Sequence, residues 1–253
     1  MSRPTPHGLP ARSIIASTLL GTHPPRMPGR LLVAITKRFG VSEGTARVAL
    51  SRMVDKGELT NEDGNYVLAG PLLERQGRQD AARRRPRSDW SGVWQVAIVV
   101  GPPSGLKHRQ DRRLRLQRLK LGELREGVWL RPDNLDLPRP EFGADVLFSS
   151  ARLEADPVEL AAELWVLDQW ADEARTFVAG LAEATVRLDR DDDDRLLSGF
   201  VLSAAVLRHL LADPELPREL WPPDWPGPAL RDVYDSFDEA YRRLLRRFFA
   251  AEL

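Results

Sequence analysis

Thr45, Arg47, Ser51 and Arg52 fall within one short stretch and carry the groups that touch nucleic acid. Hydroxyls pair with base edges and phosphates, and a guanidinium fork matches the O6 and N7 acceptors of guanine. They interleave with Ala46, Leu50, Met53 and Val54, which recur at helical spacing and mark a buried stripe. A helix that buries this stripe presents the polar set on its other side. Arg47 is the expected guanine reader, with Thr45 and Ser51 beside it. Arg52 and Lys56 are expected on phosphates, which orient a domain without reading sequence. The competing reading is that Arg47 or Arg52 pairs with Glu43 or Asp55 on the helix surface.

The elements that must position these residues are also legible. Gly40 suits the left-handed turn that ends a helix, and Ser42 suits the cap of the next. The polar-faced helix is expected from about Glu43 to Lys56, ended by Gly57. A preceding helix is expected over Pro28 to Phe39, with Leu32, Ile35 and Phe39 on one face, and a first over Ala11 to Leu20. Gly-Thr-His-Pro-Pro-Arg-Met-Pro separates the two. After Gly57, Leu59 and Tyr66 to Leu68 flank Asn61-Glu-Asp-Gly-Asn65, a hairpin with Asp63-Gly64 or Gly64-Asn65 at its turn. Helix, turn, helix and hairpin in this order predict a winged helix-turn-helix DNA-binding domain over residues 1–70. Asn61 and Asn65 sit on the wing, within expected reach of a minor groove.

The charge distribution agrees. The whole chain is formally neutral, yet residues 1–131 hold 24 Lys+Arg against 11 Asp+Glu, a balance of +13, and residues 132–253 hold the opposite excess, −13. A basic half suits a polyanion. Cysteine is absent, which excludes disulfides and thiolate metal sites. No apolar run approaches the roughly 20 residues of a membrane span, and Met1 to Pro10 is polar and Pro-rich, unlike a signal peptide. The expected location is the cytoplasm.

Further along, residues 71–90 form a basic linker or helix with Arg75, Arg78, Arg83, Arg84, Arg85 and Arg87. Residues 91–155 read as a small α+β module, expected to be ferredoxin-like: strand Trp94 to Val100, helix Arg109 to Leu121, strands Gly127 to Leu130 and Asp145 to Ser149. Residues 156–253 read as a helical C-terminal domain. Helices are expected over Asp156 to about Leu188, Leu196 to Leu211 and Arg231 to Phe249, with a Pro-rich connection at 213–228 and a solvated acidic turn at Asp191 to Asp194.

Four stretches together carry a family resemblance: Ala11-Arg-Ser-Ile-Ile with Leu19-Leu-Gly; Val41-Ser-Glu-Gly-Thr-Ala-Arg-Val-Ala-Leu-Ser-Arg-Met-Val; Gly127-Val-Trp-Leu-Arg-Pro132; and Leu220-Trp-Pro-Pro-Asp-Trp-Pro-Gly227. The chain resembles the PaaX family of bacterial transcriptional repressors of phenylacetic acid degradation and related aromatic catabolism. The resemblance implies an N-terminal winged helix, a central module of the type seen in the CRISPR protein Cas2, and a helical C-terminal domain. It also implies a homodimer that binds an imperfect palindrome in double-stranded DNA. That dimer would leave DNA when an aryl-CoA thioester such as phenylacetyl-CoA binds.

Such an effector needs cations for its phosphates and an apolar slot for its acyl group. Arg109, Arg112, Arg113 and Arg115 are the candidates for the cations; the competing reading is a helix that only packs its leucines and solvates its arginines. Trp165, Trp170, Trp221 and Trp225 are candidates for an aromatic wall or, more simply, for core and dimer contacts. The enzyme alternative is a Cas2-like nuclease, which needs carboxylates to hold a metal ion. The first strand of the central module ends Val99-Val100-Gly101-Pro102, with no acid, so no catalytic residues and no metal site are expected. The four histidines, His7, His23, His108 and His209, show no ligand spacing, and no Gly-rich phosphate loop occurs. A regulator that binds DNA without a small-molecule ligand is the remaining alternative.

Overall fold

The computed structural model describes residues 8–83, 89–101, 105–137, 141–188 and 195–252. The fold is α+β, with two antiparallel sheets among the described residues. The chain divides into two compact units. The first combines Met1–Arg84, Arg175–Leu211 and Ala229–Leu253; the second combines Arg85–Ala174 and Ala212–Pro228.

The first unit begins with α1 (Ala11–Leu20), β1 (Arg26–Pro28), α2 (Gly29–Arg38), α3 (Glu43–Asp55), β2 (Leu59–Glu62), β3 (Asn65–Leu68) and α4 (Gly70–Arg83). One core joins them: Ile15 and Leu19 from α1, Leu31 and Leu32 from α2, Ala46, Leu50 and Met53 from α3, Leu59 and Leu68 from the hairpin, and Leu72 from α4. Gly40 has φ +76 and ends the α2 segment by the left-handed turn expected of it. The hairpin pairs Leu59 with Leu68 and Glu62 with Asn65, which puts Asp63-Gly64 at the turn. Both turn residues have positive φ, 51 and 83, as a two-residue hairpin of this twist requires.

β1 is a strand where only a helix break was expected. It pairs antiparallel with β3 at the sheet's edge, where Pro28 forfeits no ladder hydrogen bond that the sheet needs. Of the two expectations for the basic stretch after the hairpin, residues 70–83 form a helix, α4. Leu72, Gln76, Gln79 and Ala82 are buried on it. Gln76 Nε2 donates to the carbonyls of Leu20 and Thr22 at 3.0 Å each, satisfying acceptors that the end of α1 leaves open. Arg84, Arg85 and Arg87 lie outside the described residues, as does the acidic run Asp191–Asp194.

α7 (Leu167–Leu188) enters the first unit at Arg175, and α8 (Arg195–Ala212) and most of α9 (Gly227–Ala251) complete it. α8 and α9 approach closely: a Cβ on Gly199 would stand 2.7 Å from the Tyr241 ring, and Tyr241 Oη donates to the Leu196 carbonyl at 2.9 Å. The buried Arg231 donates to the Ala82 carbonyl at 3.0 Å, tying α9 to the end of α4. By length and composition α8 could cross a membrane, contrary to the expectation that no run approaches that length. Its Leu196, Phe200, Val206 and Leu210 are buried within the unit.

The second unit is built on β4 (Trp94–Val99), β5 (Gly122–Arg125), β6 (Val128–Pro132) and β7 (Val146–Ala151), in the order β5-β6-β4-β7 with every neighbouring pair antiparallel. α5 (Leu106–Arg118) packs Leu116, with Leu119 just beyond it, on Ala97, Trp129 and Val146. α6 (Pro157–Leu164) packs Leu160 and Leu164 on Trp94 and Leu130, together with Leu216 and Leu220 of the Pro-rich connection. β5 was not expected from the sequence. The single helix expected from Asp156 to Leu188 is two, α6 and α7, interrupted at Trp165-Val166. Asp156 Oδ1 caps α6, accepting from the amides of Val158 and Glu159 at 2.8 and 3.0 Å. Trp165, Trp221 and Trp225 pack against this core, and Trp170 stacks on Trp225 at 4.5 Å.

Candidate nucleic-acid interface

α3 is positioned from both ends. Ser42 Oγ accepts from the Thr45 amide at 3.2 Å and meets Thr45 Oγ1 at 2.8 Å, so the cap is made. Ala46, Leu50 and Met53 are buried beneath the helix. On its outer side Ser42, Thr45, Arg47, Ser51, Arg52 and Lys56 are all exposed. Three residues of the expected stripe are buried, Val54 is half-buried against the same core, and the expected outward set is exposed.

Arg47 is already engaged. Its Nε and Nη2 donate to Glu43 Oε1 at 2.9 and 2.7 Å, one helical turn away. The Arg47 hydrogen bonds, and then its charge, hold the Glu43 carboxyl below the usual carboxylate range. This is the surface pairing that competed with base reading. Both side chains are exposed, 68% and 51%, so the pair can open at little cost. Arg52 makes no ion pair among the described residues.

Two further residues belong to the same face and were not singled out from the sequence. Val48 is 51% exposed in the middle of the helix, between Thr45 and Arg52. An apolar group there is of the type that meets a thymine methyl. Its signal in the sequence was its absence from the buried stripe. Gly44 lies in the first turn, where an added Cβ would meet nothing within 4 Å.

On the hairpin, Asn61 Oδ1 accepts from the Gly64 amide at 3.0 Å, so its carbonyl end holds the turn. Asn61 is exposed, whereas Asn65 is half-buried in β3. Arg12, on the first turn of α1, grips Glu58 at the hairpin's base: Nη2 donates to Oε1 at 2.6 Å and Nε to Oε2 at 2.9 Å. Hydrogen bonds from Arg12 hold the Glu58 carboxyl below its ordinary range.

The arginines of α5 are placed differently. Arg109, Arg112 and Arg113 line a concavity of about 800 Å³ in the second unit, together with Arg125, Glu123 and Trp129. Arg113 pairs with Glu123 at 2.6 Å and lies 5.5 Å from the Trp129 ring centre. Arg112 is half-buried, its Nη1 enclosed and without a hydrogen-bond partner. Arg115 is not part of this lining; it stacks on Phe142 at 4.4 Å and donates to the Glu141 carbonyl.

β4 ends without an acid, but Asp145 reaches that point from the segment before β7. Its Oδ1 stands 2.6 Å from where a Gly101 Cβ would lie, and Oδ2 meets His108 Nε2 at 3.1 Å. Among the described residues no three His, Cys, Asp or Glu side chains converge as a metal site.

Comparison with known proteins bears on this arrangement. The family model for PaaX-like protein matches residues 10–71, which contain α1 to β3 and the whole exposed face of α3. The model for the PaaX-like protein C-terminal domain matches residues 165–251. The uncharacterized protein Rv0674 from Mycobacterium tuberculosis, a solved structure, is 40% identical, with 96% of this chain and 99% of that chain covered and a TM-score of 0.73. The chain belongs to the PaaX-like family. No curated protein matches it. The first PaaX-like match stops where α4 begins, and the second leaves β4 to β7 and α5 outside both matches.

Proposed function

We propose that this PaaX-like chain is a sequence-specific DNA-binding transcriptional regulator that acts in the cytoplasm, and not an enzyme. The observation that carries the reading is the outer face of α3, where Thr45, Arg47, Val48, Ser51 and Arg52 stand exposed opposite the buried Ala46, Leu50 and Met53. In this reading α1 to β3 form a winged helix, α3 enters the major groove, and its N-terminal half meets base edges. Arg47 exchanges Glu43 for a guanine, and Arg52 and Lys56 hold phosphates. The exposed amide end of Asn61 reaches the minor groove from the wing, and Asn65 steadies the hairpin beside it. The protein acts as a homodimer on an imperfect palindrome and represses an aromatic catabolic pathway.

Release from DNA is by an aryl-CoA thioester. The concavity beside α5 supports this, since Arg109, Arg112 and Arg125 offer cations to phosphates around the ring of Trp129. Arg115, committed to Phe142 and Glu141, takes no part. The second unit, in this reading Cas2-like in form, serves structure and effector binding and not phosphodiester cleavage.

The test is to incubate the protein with fragmented genomic DNA of its host, with and without phenylacetyl-CoA, and to sequence what stays bound. A few palindromic sites that vanish with the thioester are expected. Sites indifferent to the thioester would remove the ligand and keep the DNA reading. No enriched site would overturn the role of α3.

A further inference from the structure

We infer that the crevice between α1, α4, α8 and α9 in the first unit binds a short hydroxycarboxylate. Its floor holds Gln79, which is 5% exposed and whose Oε1 is buried with no hydrogen-bond partner. A buried amide oxygen left in this state costs free energy, and a ligand hydroxyl that donates to it recovers that cost. One turn earlier on the same face of α4, Arg75 lines the mouth. The other cations of the crevice are engaged: Arg83 with Asp235 and Asp238, Arg242 with Asp238, and His23 with Asp80. Arg75 makes no ion pair among the described residues. It is also held below its ordinary basicity by burial and by the nearby Arg208 and Arg12. An anion at this point relieves that repulsion, and a carboxylate matches the guanidinium fork.

The opposite wall supplies Ser203 and Tyr234, whose hydroxyls meet at 2.9 Å, and Phe200 closes the apolar side. The free volume of about 60 Å³ fixes the size class. It is the space of about two water molecules at ~30 Å³ each, room for the hydroxyl end of a two- or three-carbon acid whose carboxylate stays outside at the exposed Arg75, and too small for an aromatic ring. The two ends of such a molecule answer the two unmet groups: its carboxylate takes Arg75 and its hydroxyl donates to Gln79 Oε1.

The experiment is a thermal unfolding series on the full chain at matched ionic strength, with glycolate, lactate, acetate or inorganic phosphate as the added sodium salt against sodium chloride. Glycolate or lactate is expected to raise the Tm above the chloride control and above acetate, which lacks the donor. Arg75→Gln is expected to abolish the rise. Gln79→Met, which keeps the side chain's shape, is expected to level glycolate with acetate. No rise with either hydroxy acid, a rise that survives Arg75→Gln, or an Arg75-dependent rise with phosphate alone would each overturn the assignment. No DNA enters this measurement, so its failure leaves the reading of α3 untouched.

Discussion

α3 and α5 are both helices of 13 residues, and they place their basic residues differently. By charge alone α5 is the more obvious polyanion site, with six Lys and Arg against one Asp, whereas α3 holds two Arg against one Glu and one Asp. The structure separates the two helices by what their cations already touch. On α5 two of the six cations are engaged across elements, Arg113 with Glu123 and the Trp129 ring and Arg115 with the Glu141 carbonyl and the Phe142 ring, whereas the half-buried Arg112 keeps Nη1 without a hydrogen-bond partner beside the concavity. On α3 Arg47 pairs with Glu43 within the helix and in solvent, and Arg52 makes no ion pair among the described residues. A cation is available to a ligand according to what it already touches, and charge counts do not record that.

Removing one arginine from each helix gives the largest expected contrast. Arg47→Ala is expected to cost roughly 1–3 kcal/mol of operator affinity and to relax discrimination at one base position. Arg113→Ala is expected to leave operator affinity unchanged and to lower the unfolding midpoint, because Glu123 and the Trp129 face lose their partner. Both are read by fluorescence anisotropy on the selected operator and on single-base variants of it. A uniform loss over all sequences in Arg47→Ala would show a phosphate contact in place of a base contact. Equal losses from the two variants would erase the distinction between the helices.

What could be read beforehand follows the same division between local and distant causes. The α3 stripe, its Ser42 cap, the Gly40 turn and the Asp63-Gly64 hairpin depend on residues within a few positions of one another, and all were legible. β1 was not, because its strand character comes from pairing with β3 across nearly forty residues and its own composition argues for a break. β5 and the interruption at Trp165-Val166 escaped for a similar reason: Gly122 sits where a Cβ would meet Leu164 at 2.9 Å, a packing relation between separate elements. The residues to the α5 arginines that matter, Glu123, Trp129 and Phe142, arrive from strands and loops whose placement no helix period reveals. The grouping of Arg175–Leu211 and Ala229–Leu253 with the N-terminal elements is likewise a product of long-range packing. For the face proposed to meet DNA the legible part was the polar set, and Val48 was the part overlooked.

Of two Glu–Arg pairs near α3, only one joins separate elements. Glu58 is bonded to Arg12 of α1, and Glu43 to Arg47 within α3. Both carboxyls are held below their ordinary range, so any stability they contribute is present above that range and is lost as pH falls through the lowered value. Glu58→Gln is expected to lower the urea midpoint at neutral pH and to flatten its decline in acid. Glu43→Gln is expected to leave the midpoint nearly unchanged and to tighten operator binding, because Arg47 no longer has to release a partner. A weaker operator complex in Glu43→Gln would mean that the carboxylate positions Arg47 on its base, and the pair would then be part of the reading surface.

The smallest expected effect tests the closeness of that surface to DNA. Glycine in a helix is worth roughly 0.5–1 kcal/mol less than alanine. Among the described residues nothing explains Gly44: a Cβ there meets no atom within 4 Å, and its φ is not among the positive ones. A partner's backbone laid against the first turn of α3 would explain it. Gly44→Ala is therefore expected to raise the urea midpoint while weakening operator binding, two changes of opposite sign from one methyl group. If affinity holds while stability rises, the first turn of α3 stands off the groove, and base reading has to come from the turns that carry Val48, Ser51 and Arg52.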